Sequence, residues 1–346
     1  MTNGPLLMMM AGAAVPSSAS SAIAVAHSGT PFISVYPWSE SGFGTKFANP
    51  SGIPPSTGNG IAFTPDGSAI AVAHIGAPFI SVYPWSESGF GAKFANPSVL
   101  PAGSSQGVAF TSDGSAIAVA DANTPFISAY PWSGSGFGTK FANPSVLPAG
   151  GGNGIAFTPD GSAIAVAHIG TPFISVYPWS GSGFGTKFAN PSGLPANDGK
   201  GVAFTPDGSA IAVGHGGSPF ITAYSWSGSG FGIKFTNPST LPPATVFGAT
   251  FASDGSTIAV AHNFSPFISV YLWDEFGFGG KFTNPSVLPA GAGISTAFTP
   301  DGSAIAVGHL NSPYILAYSW SGFGFGSKFA NPSTLLLSTG RGVTFN

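Results

Sequence analysis

All seven tryptophans of this 346-residue chain fall on one ladder, Trp38, Trp85, Trp132, Trp179, Trp226, Trp273 and Trp320, each 47 residues after the one before. Self-similarity at a fixed period of this length marks an array of one supersecondary unit, so the unit decides the fold. Seven of the nine basic residues keep the same step, as Lys46, Lys93, Lys140, Lys187, Lys234, Lys281 and Lys328. Six aspartates share a second register, Asp66, Asp113, Asp160, Asp207, Asp254 and Asp301, with Ala19 where the first copy would need its own. No insertion interrupts the period.

One unit, residues 58–103, divides into four short β-prone pieces. Gly60 to Thr64 is an apolar run, strand a, and Pro65-Asp66-Gly67 after it is turn chemistry: Pro presets φ, Asp bonds its own backbone and Gly accepts φ > 0. Ala69 to His74 (strand b) alternates small and larger side chains, Phe79 to Tyr83 (strand c) is aromatic and β-branched, and Ala92 to Asn96 (strand d) follows a Gly-Phe-Gly turn. In strand b, Ile70 and Val72 point one way while Ala69, Ala71 and Ala73 point the other, giving one bulky and one thin face. Four strands per repeat with no helical period predict an all-β fold, a seven-bladed β-propeller. Gly340 to Phe345 repeats the register of Gly58 to Phe63, whereas Ala11 to Pro16 has lost it. The C-terminal strand is therefore expected to complete blade one and close the ring. This divides the chain into an arm, residues 1–20, and a propeller, residues 21–346. In the arm, Leu6, Leu7, Met8, Met9 and Met10 have no repeat to pack into and read as an assembly anchor, or else as a tail or a strand on blade one.

Composition limits the partners. Only 6% of residues are charged and the net charge is −3, so there is no basic field for nucleic acid or anionic lipid. The absence of cysteine leaves no disulfide framework or thiolate metal site. No apolar run is long enough to span a bilayer, and the first residues lack the basic start of a secretory signal. No cofactor or metal is expected.

The stretch FTPDGSAIAVAH followed by PFISVYPW resembles the WD-repeat and YVTN-type propellers, in which a similar turn joins strands a and b and Trp ends strand c. The resemblance runs from about residue 17 to the end. Here Trp is followed by Ser, or by Asp only at Asp274, and the Gly-His pair before strand a is missing, so the WD hydrogen-bond network does not carry over. What the resemblance implies is a platform for proteins, peptides or glycans. Near-identical repeats in a low-charge, Gly-rich chain also resemble, more loosely, components of bacteriophage virions.

Two rings of residues stand out as candidate ligand sites. His27, His74, His168, His215, His262 and His309 share one register, with Asp121 in the remaining copy. They could bind an anion or a metal, or titrate below about pH 6.5, or each could bond a loop carbonyl. The second reading is preferred, because radial separation puts the copies too far apart to share a metal at about 2.0–2.1 Å. The tryptophans could stack sugars at seven weak, multivalent sites, or plug the space between blades. Lysines on strand d read as a solvated edge. Single carboxylates per blade lack the pairing of a glycosidase, and no phosphate loop, HExxH or GxSxG is present. The irregular residues Asp121, Asp198, Lys200, Asp274, Glu275 and Arg341 read as sitting at different blade positions, which argues against an enzyme. The expectation from sequence is a non-enzymatic virion propeller serving assembly or host attachment, with other structural proteins as partners. The alternative is an extracellular or cell-surface glycan-binding propeller.

Overall fold

The computed structural model describes residues 21–346; the Leu6 to Met10 run and the rest of the arm lie outside the described residues. Seven sheets, each of four antiparallel strands, make up the described chain, with no helix. None of it, therefore, contains a helix long and apolar enough to cross a membrane. In blade two the strands are Gly58–Phe63, Ala69–His74, Ile80–Ser86 and Gly89–Phe90. Blade one takes its inner strand from the other end of the chain: Gly340–Phe345 pairs with Ala22–His27. Asn346 N then donates to Ala22 O at 3.0 Å and Ser21 Oγ to Asn346 O at 3.1 Å, which completes the ring.

Alternation along strand b builds the core. Ile70 and Val72 of blade two lie against Ala22, Ala24 and Ala26 of blade one, while Ala69, Ala71 and Ala73 receive Ile117 and Val119 of blade three. Thin faces let neighbouring blades approach, and dispersion and burial of apolar area follow from that closeness. Each tryptophan fills the outer part of the same junction. Trp85 meets Phe47 of blade one and Phe90 of its own blade edge-on at 5.0 Å, with Phe63 at 5.8 Å. Edge-to-face pairs add about 0.5–1.5 kcal/mol each beyond their area. Tyr83 reaches across the junction, its hydroxyl donating to Gly52 O at 2.7 Å, and Tyr36, Tyr177, Tyr224 and Tyr318 do the same in their blades.

Two strand boundaries differ from those expected. Strand c begins at Ile80, because Phe79 stands at φ 70°, in the left-handed region, and the same corner recurs in all seven blades. Phe79 is held there by its N–H donating to Gly76 O at 2.8 Å and its carbonyl accepting from His74 N at 2.9 Å. Strand d is Gly89–Phe90, not Ala92 to Asn96, since Gly89 and Phe90 already pair with Ser86 and Trp85 through a tight turn. It stays at two residues in blades one to four and lengthens in five to seven, as Gly230–Lys234, Gly277–Lys281 and Phe325–Lys328. Where it is short, strand c carries Pro37, Pro84, Pro131 or Pro178; where it is long, Ser225, Leu272 or Ser319 stands there. Proline has no N–H to give the ladder.

Candidate functional site at the channel mouth

Strand a carries one residue more than its partner in every blade. Gly58 pairs with His74 and Gly60 with Ala73, so Asn59 is left over as a β-bulge. Gln106, Asn153, Lys200, Phe247, Ile294 and Arg341 occupy the same bulge in the other six. A bulge re-aims its extra side chain without breaking the sheet. The next position is Gly60, Gly107, Gly154, Gly201, Gly248 and Gly342, with Ser295 in blade seven. A Cβ on Gly60 would stand 2.8 Å from Gln106 O and 2.9 Å from Gly107 Cα, so the inner strands come closer than a side chain permits.

The seven inner strands enclose a channel cavity of 410 Å³ lined by all seven bulge residues. Following the blades, the ring reads Arg341, Asn59, Gln106, Asn153, Lys200, Phe247, Ile294: five hydrogen-bonding residues in a row, then two apolar ones. Asn59 Nδ2 donates to Ser105 O at 3.0 Å and Asn153 Nδ2 to Gly199 O at 2.7 Å, so these amides also tie one blade to the next. Arg341 Nε and Asn59 Oδ1 have no protein partner. Lys200 Nζ lies 3.8 Å from Asp198 Oδ2, both side chains about a third exposed. Of the nine basic residues, the two off the lysine ladder are Lys200 and Arg341, and both are here. Cations in a narrow, low-dielectric channel focus their field on an entering anion.

The residues singled out from sequence lie elsewhere. All six histidines are fully buried. His74 Nδ1 donates to Gly76 O at 2.8 Å, which leaves Nε2 to accept from Ser81 Oγ at 3.0 Å. His168 and His262 are held alike, and His27 and His215 bond Ser34 and Thr222. His309 has no such partner, because Leu316 replaces the hydroxyl residue. Burial pushes most of these imidazoles down to about 4, so they are neutral and closed to a ligand. In the odd blade, Asp121 accepts from Ser105 Oγ at 3.0 Å and Ser128 Oγ at 2.7 Å, and burial raises it to about 6.

Trp38, Trp85, Trp132, Trp179, Trp226, Trp273 and Trp320 are 6–8% exposed, and their phenylalanine neighbours take the surface a sugar would stack on. Lys46, Lys93, Lys140, Lys187, Lys281 and Lys328 each donate to the side-chain oxygen of the asparagine three residues on, as Lys140 does to Asn143 at 2.5 Å. Asp66 accepts the N–H and hydroxyl of Ser68, and these bonds, with Thr64, hold it below the usual carboxylate range. The bulge ring has a signal in the sequence, though one it shares with the loop position after the histidine: in a near-constant repeat each holds six residue types in seven copies. Lys200 and Arg341 are three whole repeats apart and share a register, which corrects the expectation that the irregular residues sit at different blade positions.

No protein-family model matches the sequence, and no curated protein matches it. Among solved structures, a Bacteroides uniformis protein provisionally named a 6-phosphogluconolactonase superposes with a TM-score of 0.73 at 15% identity, covering 95% of this chain and 100% of that one. The Pseudomonas aeruginosa periplasmic gluconolactonase gives 0.71 at 15%, over 94% and 99%. Kuenenia stuttgartiensis hydrazine synthase gives 0.63 at 14%, over 83% and 89%. What they share with this chain is the fold.

These neighbours overturn the expectation of a non-enzymatic virion propeller and its glycan-binding alternative: two of the superposed propellers carry the names 6-phosphogluconolactonase and gluconolactonase. They also leave the WD-repeat and phage resemblances without support. The physical reason lies in the channel. Near-identical blades were expected to offer no privileged pocket, yet the bulge register makes the ring asymmetric.

Proposed function

We propose that this protein is an enzyme whose active site is the channel mouth, and that it opens small lactone rings. The observation that carries the reading is the convergence of both off-ladder cations, Lys200 and Arg341, on the cavity that all seven inner strands line. The names of the superposed propellers favour the same class of reaction.

In lactone hydrolysis, water adds to the acyl carbon, the ring C–O bond breaks, and the released oxygen takes a proton to leave a hydroxy acid. Negative charge builds on the carbonyl oxygen as water adds. Lys200 and Arg341 supply the positive charge to meet it, and Asp198, beside Lys200, supplies a carboxylate to accept the proton of the attacking water. Asn59, Gln106 and Asn153 offer amides to substrate hydroxyls.

Because lactones open slowly by themselves, the measurement is the rate above blank in a pH-stat with δ-gluconolactone and its 6-phosphate. Lys200→Gln and Arg341→Gln are each expected to lower kcat/KM by roughly 10–100-fold, with the urea midpoint unchanged. A wild-type protein that gives no rate above blank on either lactone, nor on a lactone bearing an aromatic flank, would remove the proposal.

A further inference from the structure

The bulge ring is divided, and the division speaks to what enters it. Phe247 and Ile294 are neighbours, and their half-buried side chains face the channel where the other five blades present amides or cations. A cation stands at each end of the apolar pair: Lys200 precedes Phe247, and Arg341 follows Ile294 around the ring. One step further along strand a, the wall is Ile61, Val108, Ile155, Val202 and Val343 in five blades, but Ala249 and Thr296 beside the apolar pair. The side chains behind Phe247 and Ile294 are therefore the smaller ones, and Thr250 is brought into the lining there alone. The two threonines satisfy each other, Thr250 Oγ1 donating to Thr296 O at 2.8 Å and Thr296 Oγ1 to Thr250 Oγ1 at 3.3 Å, so neither asks a hydrogen bond of a ligand, and Ser295 Oγ is the one buried hydroxyl of this side without a protein partner.

We infer that the ligand of this site is an amphipathic anion: a phosphate or carboxylate joined to an aromatic or hydrocarbon flank, with the anion toward Lys200 or Arg341 and the flank on Phe247 and Ile294. The inference rests on the channel mouth being the active site and goes beyond it, since a fully hydroxylated sugar acid would leave the apolar pair uncovered. At about 25 cal/mol per Å², covering some 55 Å² of apolar surface corresponds to about tenfold in affinity.

Calorimetric titration with matched probes tests it: inorganic phosphate against phenyl phosphate, and acetate against benzoate. Wild type is expected to bind the aromatic member of at least one pair about tenfold more tightly, and the pair with the tighter binding identifies the preferred anion. Phe247→Asn and Ile294→Asn, which install the residue blades two and four already carry, should each shrink that preference while leaving phosphate or acetate affinity within about twofold. Lys200→Gln with Arg341→Gln should lose both members. Equal affinities in wild type, or a preference that survives both asparagine variants, would overturn the apolar subsite while leaving the channel as an anion site. Absence of binding by every probe would overturn both readings.

Discussion

A buried imidazole such as His74 is where this protein feels pH. Its pKa is lowered from 6.5 to about 4, chiefly by burial, so the folded state refuses a proton that the unfolded chain accepts. Unfolding therefore takes up protons, and stability is full above about pH 6.5 and declines as pH falls toward 4. Five of the six histidines sit near that value, and each shift of this size corresponds to roughly 3 kcal/mol at the acid end. The urea midpoint should accordingly fall steeply between pH 6.5 and 4; a flat profile there would contradict neutral, buried rings. Asp121 acts with the opposite sign: its folded pKa lies above the ordinary carboxylate value, so it opposes folding increasingly as pH rises through about 6. Restoring the pair used by most other blades, Asp121→His with Ser105→Gly, is expected to raise stability at pH 8 by about 1–3 kcal/mol in urea titration. A loss would mean that the two serine hydroxyls already compensate the charge. That the histidines form a ring was legible in the sequence; that each is enclosed was not, since exposure depends on how far Gly76 and Ser81 fold back over the imidazole.

Strands a and b were legible because their signals are local: alternation for Ala69–His74, and Pro65-Asp66-Gly67 for the turn. The corner before strand c was hidden, since Pro-Phe-Ile-Ser reads as a continuous β run although Phe79 is held at φ 70° by bonds to Gly76 and His74. Strand d was misplaced because its length answers to a residue on another strand. In blade two, Pro84 withholds the N–H that Ser225 and Ser319 make available in blades five and seven. Pro84→Ser should extend strand d of blade two toward Lys93, read by hydrogen exchange as slower amides across residues 89–93, for a stability change within about 1 kcal/mol. Unchanged exchange would show that the segment after Gly91 is set by the loop to blade three instead.

Across the whole molecule, the ring depends on a strand from the far end of the chain, Gly340–Phe345, to complete blade one. Removing residues 340–346 would strip Val343 and Phe345 from the junction of blades seven and one and leave Ala22–His27 as an open edge. The shortened chain is expected to lose cooperative unfolding and to associate in sedimentation velocity; a monomer with an unchanged melting curve would show that six inner strands suffice. Closure was readable from the register of the last residues, whereas the site was not, because a channel exists only once seven distant segments stand side by side. The bulge then has a consequence for how such a protein can arise. A gene assembled by copying one 47-residue unit begins with seven identical pegs around a symmetric hole, and symmetry of that kind cannot orient a substrate. Since the peg lies outside the strand ladder, its codon can drift in each copy while the scaffold stands still. Seven such codons are enough to turn a symmetric hole into a handed, polarised one.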